Sequence, residues 1–210
     1  MIDTTTNSPV TEDNLAVLHE KKLHLFLFDP SLQEFRHEHP VFDSSSSTWH
    51  VSSTLNTSGN YWVWVQGELA DTQQEFTASS RLDIEGGDPA LPPASFLGDV
   101  RTGVDGISQV TVSNNKITAA HMTMLTVTMS RTDGSQPDLA PYLGAPAHVV
   151  AVPIDGSSLI HVHPMAMGGA NSTQMMLHTE FPNPGDYRLW VQFLDGGILR
   201  TVPLSVTVLR

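Results

Sequence analysis

Apolar and β-branched residues alternate with polar ones in short runs along the whole chain: "LHLFLFD", "YWVWVQ", "MLTVTMS", "HVVAVP", "YRLWVQF" and "VPLSVTVL". A period of two over four to eight residues is the mark of a strand with one buried face, and clusters of Gly, Pro, Asn, Asp and Ser punctuate the runs where turns belong. No segment of ten residues carries the period of 3.6 that an amphipathic helix requires. The pattern therefore predicts an all-β fold.

The pattern also repeats. His24, His37, His39 and Pro40 meet His148, His161, His163 and Pro164 at a constant offset of 124 positions, and three of the six identities across residues 14 to 40 are histidines. At an offset of 126, "GNYWVWVQ" (59 to 66) lies over "GDYRLWVQ" (185 to 192), which places a two-residue insertion in the second copy between residues 165 and 175. The Gly-x-Tyr before each Trp-bearing strand matches the tyrosine corner of immunoglobulin-like sandwiches, with Tyr61 and Tyr187 as equivalents. Two tandem immunoglobulin-like (cupredoxin-like) β-sandwich domains are expected, at 1 to 84 and 104 to 210. The Pro- and Gly-dense segment 85 to 103 is the expected linker. "ISQVTVS" and "ITAAHMTMLTVTMS" supply early strands to the second copy only. Residues 1 to 6 lie over 125 to 130, so the first copy lacks the equivalent of its first strand.

The repeated histidines have a geometric consequence. "HVVAVP" and "SLIHVHP" flank the turn-forming "IDGS", so they pair as an antiparallel hairpin. Residues i and i+2 of a strand share a face, and cross-strand partners point the same way. His148, His161 and His163 therefore lie on one face with Cα atoms about 5 to 7 Å apart, close enough for three imidazoles to reach one ion about 2 Å from each nitrogen. His24, His37 and His39 repeat the arrangement around "DPSLQEF". A single His-x-His on a strand more often only hydrogen-bonds to backbone. Convergence in both copies is what favours metal.

Further ligand candidates surround each triad. His50 and His178 sit on the following strand in each copy, and His19 lies in the loop leading to His24. His121, outside the repeat, is given no role. Met165, Met167 and Met176 flank the loop after His163, with Met175 beside them, whereas the first copy has no methionine beyond Met1. Thioethers select Cu(I), while imidazoles alone suit Cu(II), Zn or Ni. The soft donors point to tighter Cu(I) binding in the second copy, although Met also serves as a core filler, and Met122, Met124 and Met129 read as ordinary strand residues.

Composition narrows the chemistry. The chain has 210 residues, no Cys and a formal net charge of −12. The missing Cys removes disulfides, Zn–Cys sites, Fe–S clusters and blue-copper centres, and leaves His, Met, Asp and Glu as ligands. The negative balance repels nucleic acid and favours cations. No stretch approaches 18 apolar residues, so no membrane span is expected, and the first residues lack the pattern of a secretory signal.

At "HEKKLHL", "FRHEHP" and "DLAPYLGAPAH" the sequence resembles a family of bacterial exported proteins with tandem immunoglobulin-like or cupredoxin-like domains, associated with heavy metals and copper. The resemblance spans residues 9 to 70 and 120 to 208, with Pro146 departing from the larger residue expected before Ala147. It implies a periplasmic or secreted location and points to the same six histidines. The leading expectation is a non-catalytic protein that buffers, stores or delivers copper, in either oxidation state, with zinc as the alternative metal. Its partners would be the metal ion and a metal-transport or metal-acceptor protein. The competing expectation is an adhesion or scaffold module with structural histidines. An enzyme is disfavoured, because no carboxylate is spaced as a general base and nucleophile elbows, Walker loops and Cys nucleophiles are absent. A redox copper enzyme remains as a minor alternative.

Overall fold

A computed structural model describes residues 1–89, 91–169 and 172–210. The fold is all-β, and among the described residues the only helical turn is the 3-10 turn Glu12–Asn14. The chain divides into two compact units, Met1–Pro93 and Ala94–Arg210.

The second unit contains β9 (Thr102–Asp105), β10 (Ser108–Val112), β11 (Met122–Arg131), β12 (Leu139–Ala140), β13 (His148–Pro153), β14 (Ile160–Val162), β15 (Met165–Ala166), β16 (Gln174–Glu180), β17 (Gly185–Asp195) and β18 (Ile198–Val208). They form two antiparallel sheets. One runs β15-β16-β11-β10-β9; the other runs β12-β17-β13-β14, with β18 also on β17. Alternate residues of both sheets meet in one core: Leu125, Val127, Met175 and Leu177 from the first, and Val149, Ala151, Leu189, Val191 and Phe193 from the second. This is the sandwich that the alternation predicts, with every second side chain turned inward. Residues 97 to 103, read from composition as linker, run along this unit. The Leu97 and Gly98 N–H groups donate to Asp186 Oδ2, the Ser205 N–H donates to the Val100 carbonyl, and β9 begins at Thr102. The Pro and Gly content marked irregular backbone, but the hydrogen-bond partners were not visible in it. Ala90, in the same stretch, lies outside the described residues.

The first unit contains β1 (Ile2–Asp3), β2 (Ser8–Pro9), β3 (Leu23–Phe28), β4 (Phe35–Glu38), β5 (Val41–Asp43), β6 (Thr48–His50), β7 (Gly59–Glu68) and β8 (Glu75–Ile84). Its main sheet, β4-β3-β7-β8, corresponds to β14-β13-β17-β18, and the hairpin β5-β6 corresponds to β15-β16. At the positions equivalent to β11 the chain instead forms the small hairpin β1-β2. One buried cluster of this unit joins Leu25, Leu27 and Tyr61, with Leu55, Val63, Val65 and Ile84 packed against them, and Leu15, Leu23, Phe26 and Phe28 are buried as well. The two-residue insertion expected between 165 and 175 includes Ala170 and Asn171, which lie outside the described residues.

The corner tyrosines occupy matched positions. Tyr61 donates its hydroxyl to the Thr57 carbonyl at 3.0 Å, and Tyr187 donates to the Asn183 carbonyl at 3.0 Å. Each strand starts at a glycine in a left-handed conformation, Gly59 at φ 139° and Gly185 at φ 138°, which a side chain would strain. Tyr61 also donates to the Glu34 carboxylate. Burial alone would raise the Glu34 pKa, but hydrogen bonds from Tyr61 and from the Asn56 and Thr57 N–H groups outweigh it and hold the carboxyl below its ordinary value. Burial, followed by the Glu34 contact, pushes the Tyr61 hydroxyl well above the ordinary tyrosine range.

Replacing Tyr187 by Phe is expected to cost about 1 kcal/mol, the worth of a neutral hydrogen bond. Tyr61→Phe should cost about 1.5–3 kcal/mol, because a charged group loses its donor. Urea unfolding of the full chain checks the order, and a Tyr61→Phe change no costlier than Tyr187→Phe counts against this account.

Candidate metal centre

Each triad is built on one hairpin and completed by a tight turn. In β13-β14, Val150 lies opposite His161 and Val149 opposite Val162, a register that carries His148 toward His163. In β3-β4, Phe26 lies opposite His37 and Leu25 opposite Glu38, which carries His24 toward His39. Since Val149 and Ala151 face the sandwich core, the three histidines of the second unit project from the outer face of their sheet. β17 pairs with β13 in the same sheet and sets Gln192 opposite His148, as β7 pairs with β3 and sets Gln66 opposite His24. Both glutamines are buried, and their amides donate to Thr201 Oγ1 and Glu75 Oε2.

The nitrogens converge. His148 Nδ1 stands 2.7 Å from His163 Nε2 and 3.1 Å from His161 Nε2. In the first unit His24 Nδ1 stands 3.0 Å from His37 Nε2, and the His39 ring centre lies 5.0 Å from His24 and 4.7 Å from His37. Each triad offers three nitrogens within 4.8 Å of one another. Two nitrogens bound at 2.0–2.1 Å to one tetrahedral ion lie about 3.3 Å apart, so the separations made by His148 Nδ1 and His24 Nδ1 fall within a few tenths of an ångström of that spacing, and the other nitrogens of each triad lie within 4.8 Å. His24 and His148 are fully buried.

The opposite nitrogen of each buried ring fixes the tautomer. His24 Nε2 lies 2.9 Å from the Leu18 carbonyl and His148 Nε2 lies 2.7 Å from the Tyr142 carbonyl, so Nε2 carries the proton and donates. The Nδ1 lone pair is left facing the other two rings. Metal-binding histidines are oriented in this way by a carbonyl behind them. The carbonyls sit at the first residue of two matched hairpin turns. His19 and Glu20 have φ of 50° and 64°, and Leu143 and Gly144 have 49° and 73°. The Lys21 N–H closes on the Leu18 carbonyl at 3.1 Å, and the Ala145 N–H closes on the Tyr142 carbonyl at 3.1 Å. An oxygen with two lone pairs serves both turn and ring. Sequence reasoning missed these carbonyls and the two glutamines. The equal offset of 124 between Leu18 and Tyr142 was the available signal.

The outlying candidates lie elsewhere. His19 has its ring centre 6.0 Å from that of His24, at the edge of the first triad and outside its three convergent nitrogens. His50 is exposed on the β5-β6 hairpin, where it meets Ser46 and Thr48. His178 is exposed on β16, opposite Met124. Met176 is opposite Met165 on β15, and Met167 continues that edge with its N–H on the Gln174 carbonyl. Met165, Met176 and His178 thus lie on the outer face of the five-stranded sheet, across the core from the sheet that carries His148, His161 and His163. The sequence groups the methionines around the loop after His163, but the chain passes from one sheet to the other at Pro164, between β14 and β15.

A family model, "Domain of unknown function (DUF8832)", matches residues 102–209, just over half of the chain, and the protein belongs to that family. The matched segment contains the whole second triad and its turn. No curated protein matches the chain.

Burial pushes the His24 pKa below its ordinary 6.5, against the raising effect of the Leu18 carbonyl, and the neighbouring His19 and Lys21 push the same way as burial. Burial likewise lowers His19, against Glu75 and Glu68. A lowered value in the fold means that the unfolded chain takes the proton first. The corresponding stability is present above pH 6.5 and is lost as pH falls through the folded-state value. Denaturant midpoints of the metal-free protein should therefore fall on acidification below 6.5. An NMR titration placing His24 at or above its ordinary value would falsify this.

Proposed function

We propose that this protein binds metal ions through its two histidine triads, and that copper is the metal it buffers, stores or delivers outside the cytoplasm. The observation that carries the reading is the orientation of His148, made again at His24. One ring nitrogen is committed to a turn carbonyl, and the other aims its lone pair at two further imidazoles. A single in-plane lone pair satisfies one N–H donor well, whereas a cation satisfies all three nitrogens together. Neutral imidazole is the ligand form, and burial of His24 favours that form. Three neutral nitrogen donors with no carboxylate among them suit Cu(II) or Zn, and the resemblance to copper-associated exported proteins favours copper and an extracytoplasmic location. The chain's negative balance attracts a cation of either kind. The binding role needs no catalytic group, and a metal-acceptor protein would be the natural recipient.

A ligand that binds only the folded form at 100 times its Kd stabilises it by about 2.7 kcal/mol. Adding Cu(II) or Zn(II) to the full chain should raise its thermal midpoint. His161→Ala with His163→Ala should remove the part of that gain due to the second triad, and His37→Ala with His39→Ala the remainder. If Cu(II), Zn(II) and Cu(I) under reductant all leave the wild-type midpoint unchanged, the metal reading fails and the adhesion or scaffold reading takes its place.

A further inference from the structure

The outer face of the five-stranded sheet carries a chemistry that the triads do not use. On β11 the core takes Leu125, Val127 and Met129, so Met122 and Met124 face outward, and they are 68% and 52% exposed. On β16 the core takes Met175 and Leu177, which turns Met176 and His178 outward. Met165 and Met167, 63% and 38% exposed, complete the same face at its β15 edge. The side is fixed by register: Met124 pairs with His178, and Met176 pairs with Met165.

Two features separate this face from an ordinary apolar patch. Every large apolar side chain that β11, β15 and β16 turn outward is a methionine; the positions between them hold Thr126, Gln174 and Glu180. A surface selected only for apolar contact would also use Leu, Ile or Val, which are better strand formers. The donors are also adjacent. Directly opposed residues have Cβ atoms about 4.5–5.5 Å apart, and Met176 and His178 are neighbours on one side of one strand, so the Met124 and Met176 thioethers and the His178 imidazole can reach a common point.

We propose that Met124, Met176 and His178 form a second metal site, separate from the histidine triads, for a soft monovalent cation of the Cu(I) class. Thioether sulfur selects such a cation over Zn(II) or Cu(II). Thioethers do not titrate, so both sulfur donors remain competent in acid. The site is distinguishable from the triads on that basis, and its exposure suits a cation passed to or from a partner.

The test uses the full chain with ¹³C-methyl-labelled methionine, titrated at pH about 5 with Ag(I) as a redox-inert probe of Cu(I)-class binding. The methyl signals of Met124 and Met176 are expected to move together and saturate at one equivalent, while those of Met129 and Met175, buried in the core, stay in place. Zn(II) should move none of them. Replacing Met124 and Met176 by Leu keeps the apolar surface and removes the sulfur, and should abolish that equivalent. His161→Ala with His163→Ala should leave the methyl shifts intact, so loss of the triads does not imitate loss of this site. The proposal is overturned if Ag(I) moves neither the Met124 nor the Met176 methyl, moves the buried ones equally, or loses its effect in the histidine variant. Because the wild-type methyl map decides these points, the result stands even if the Leu variant fails to fold.

Discussion

The hydrogen bond from a buried imidazole Nε2–H to the carbonyl that opens a two-residue turn organises the candidate centre, and it is made once in each unit. The donor is His148 or His24, and the acceptor is Tyr142 or Leu18. Without it, a fully buried imidazole could expose either nitrogen to its neighbours, and the two other rings would meet an N–H as readily as a lone pair. With it, the tautomer is set and the three nitrogens share one target. The turn must therefore close at a fixed place relative to the first histidine, and the chain accepts left-handed backbone at His19, Glu20 and Leu143, none of them glycine, to close it there.

The rest of each sheet serves that arrangement. β17 and β7 lie beside the first histidine and bring Gln192 and Gln66 next to it, while the tyrosine corner anchors the start of the same strand. The corner and the glutamine are separated by five residues on one strand, so the position of Tyr187 sets the register in which Gln192 reaches His148. In the second unit, the side chains between these positions fill the core and hold the strand against the opposing sheet.

Much of the fold was legible because a period of two reports directly which face of a strand is buried, and because the repeat at offsets of 124 and 126 exposed the equivalent elements. The convergence of the six histidines was legible for the same reason: parity along a strand and pairing across a hairpin leave little freedom. What was not legible depended on the sheet in which a strand ends up. Parity said that Met176 and His178 share a side, but not that β16 joins the sheet opposite the triad. His50 failed likewise, since the β5-β6 hairpin pairs with itself and not with β3. The turn carbonyls left no residue-type signal, because any amino acid supplies one. The hydrogen bonds that tie residues 97 to 100 to the second unit were hidden by a composition that resembles a linker.

The same alternation explains how one small sandwich presents two kinds of donor without mixing them. Each sheet has an inner face, filled by aliphatic and aromatic side chains, and an outer face free to carry chemistry. Imidazoles occupy the outer face of the sheet containing β13 and β14, where His148 is buried with its Nε2 committed to the Tyr142 carbonyl. Thioethers occupy the outer face of the sheet containing β11, β15 and β16, where exposure costs them no ligand capacity because they carry no proton to lose. His163 and Met165 are only two residues apart, yet Pro164 lies where the chain leaves one sheet for the other, and that crossing assigns them to different faces. Separation of imidazole from thioether donors therefore follows from strand parity and one crossover.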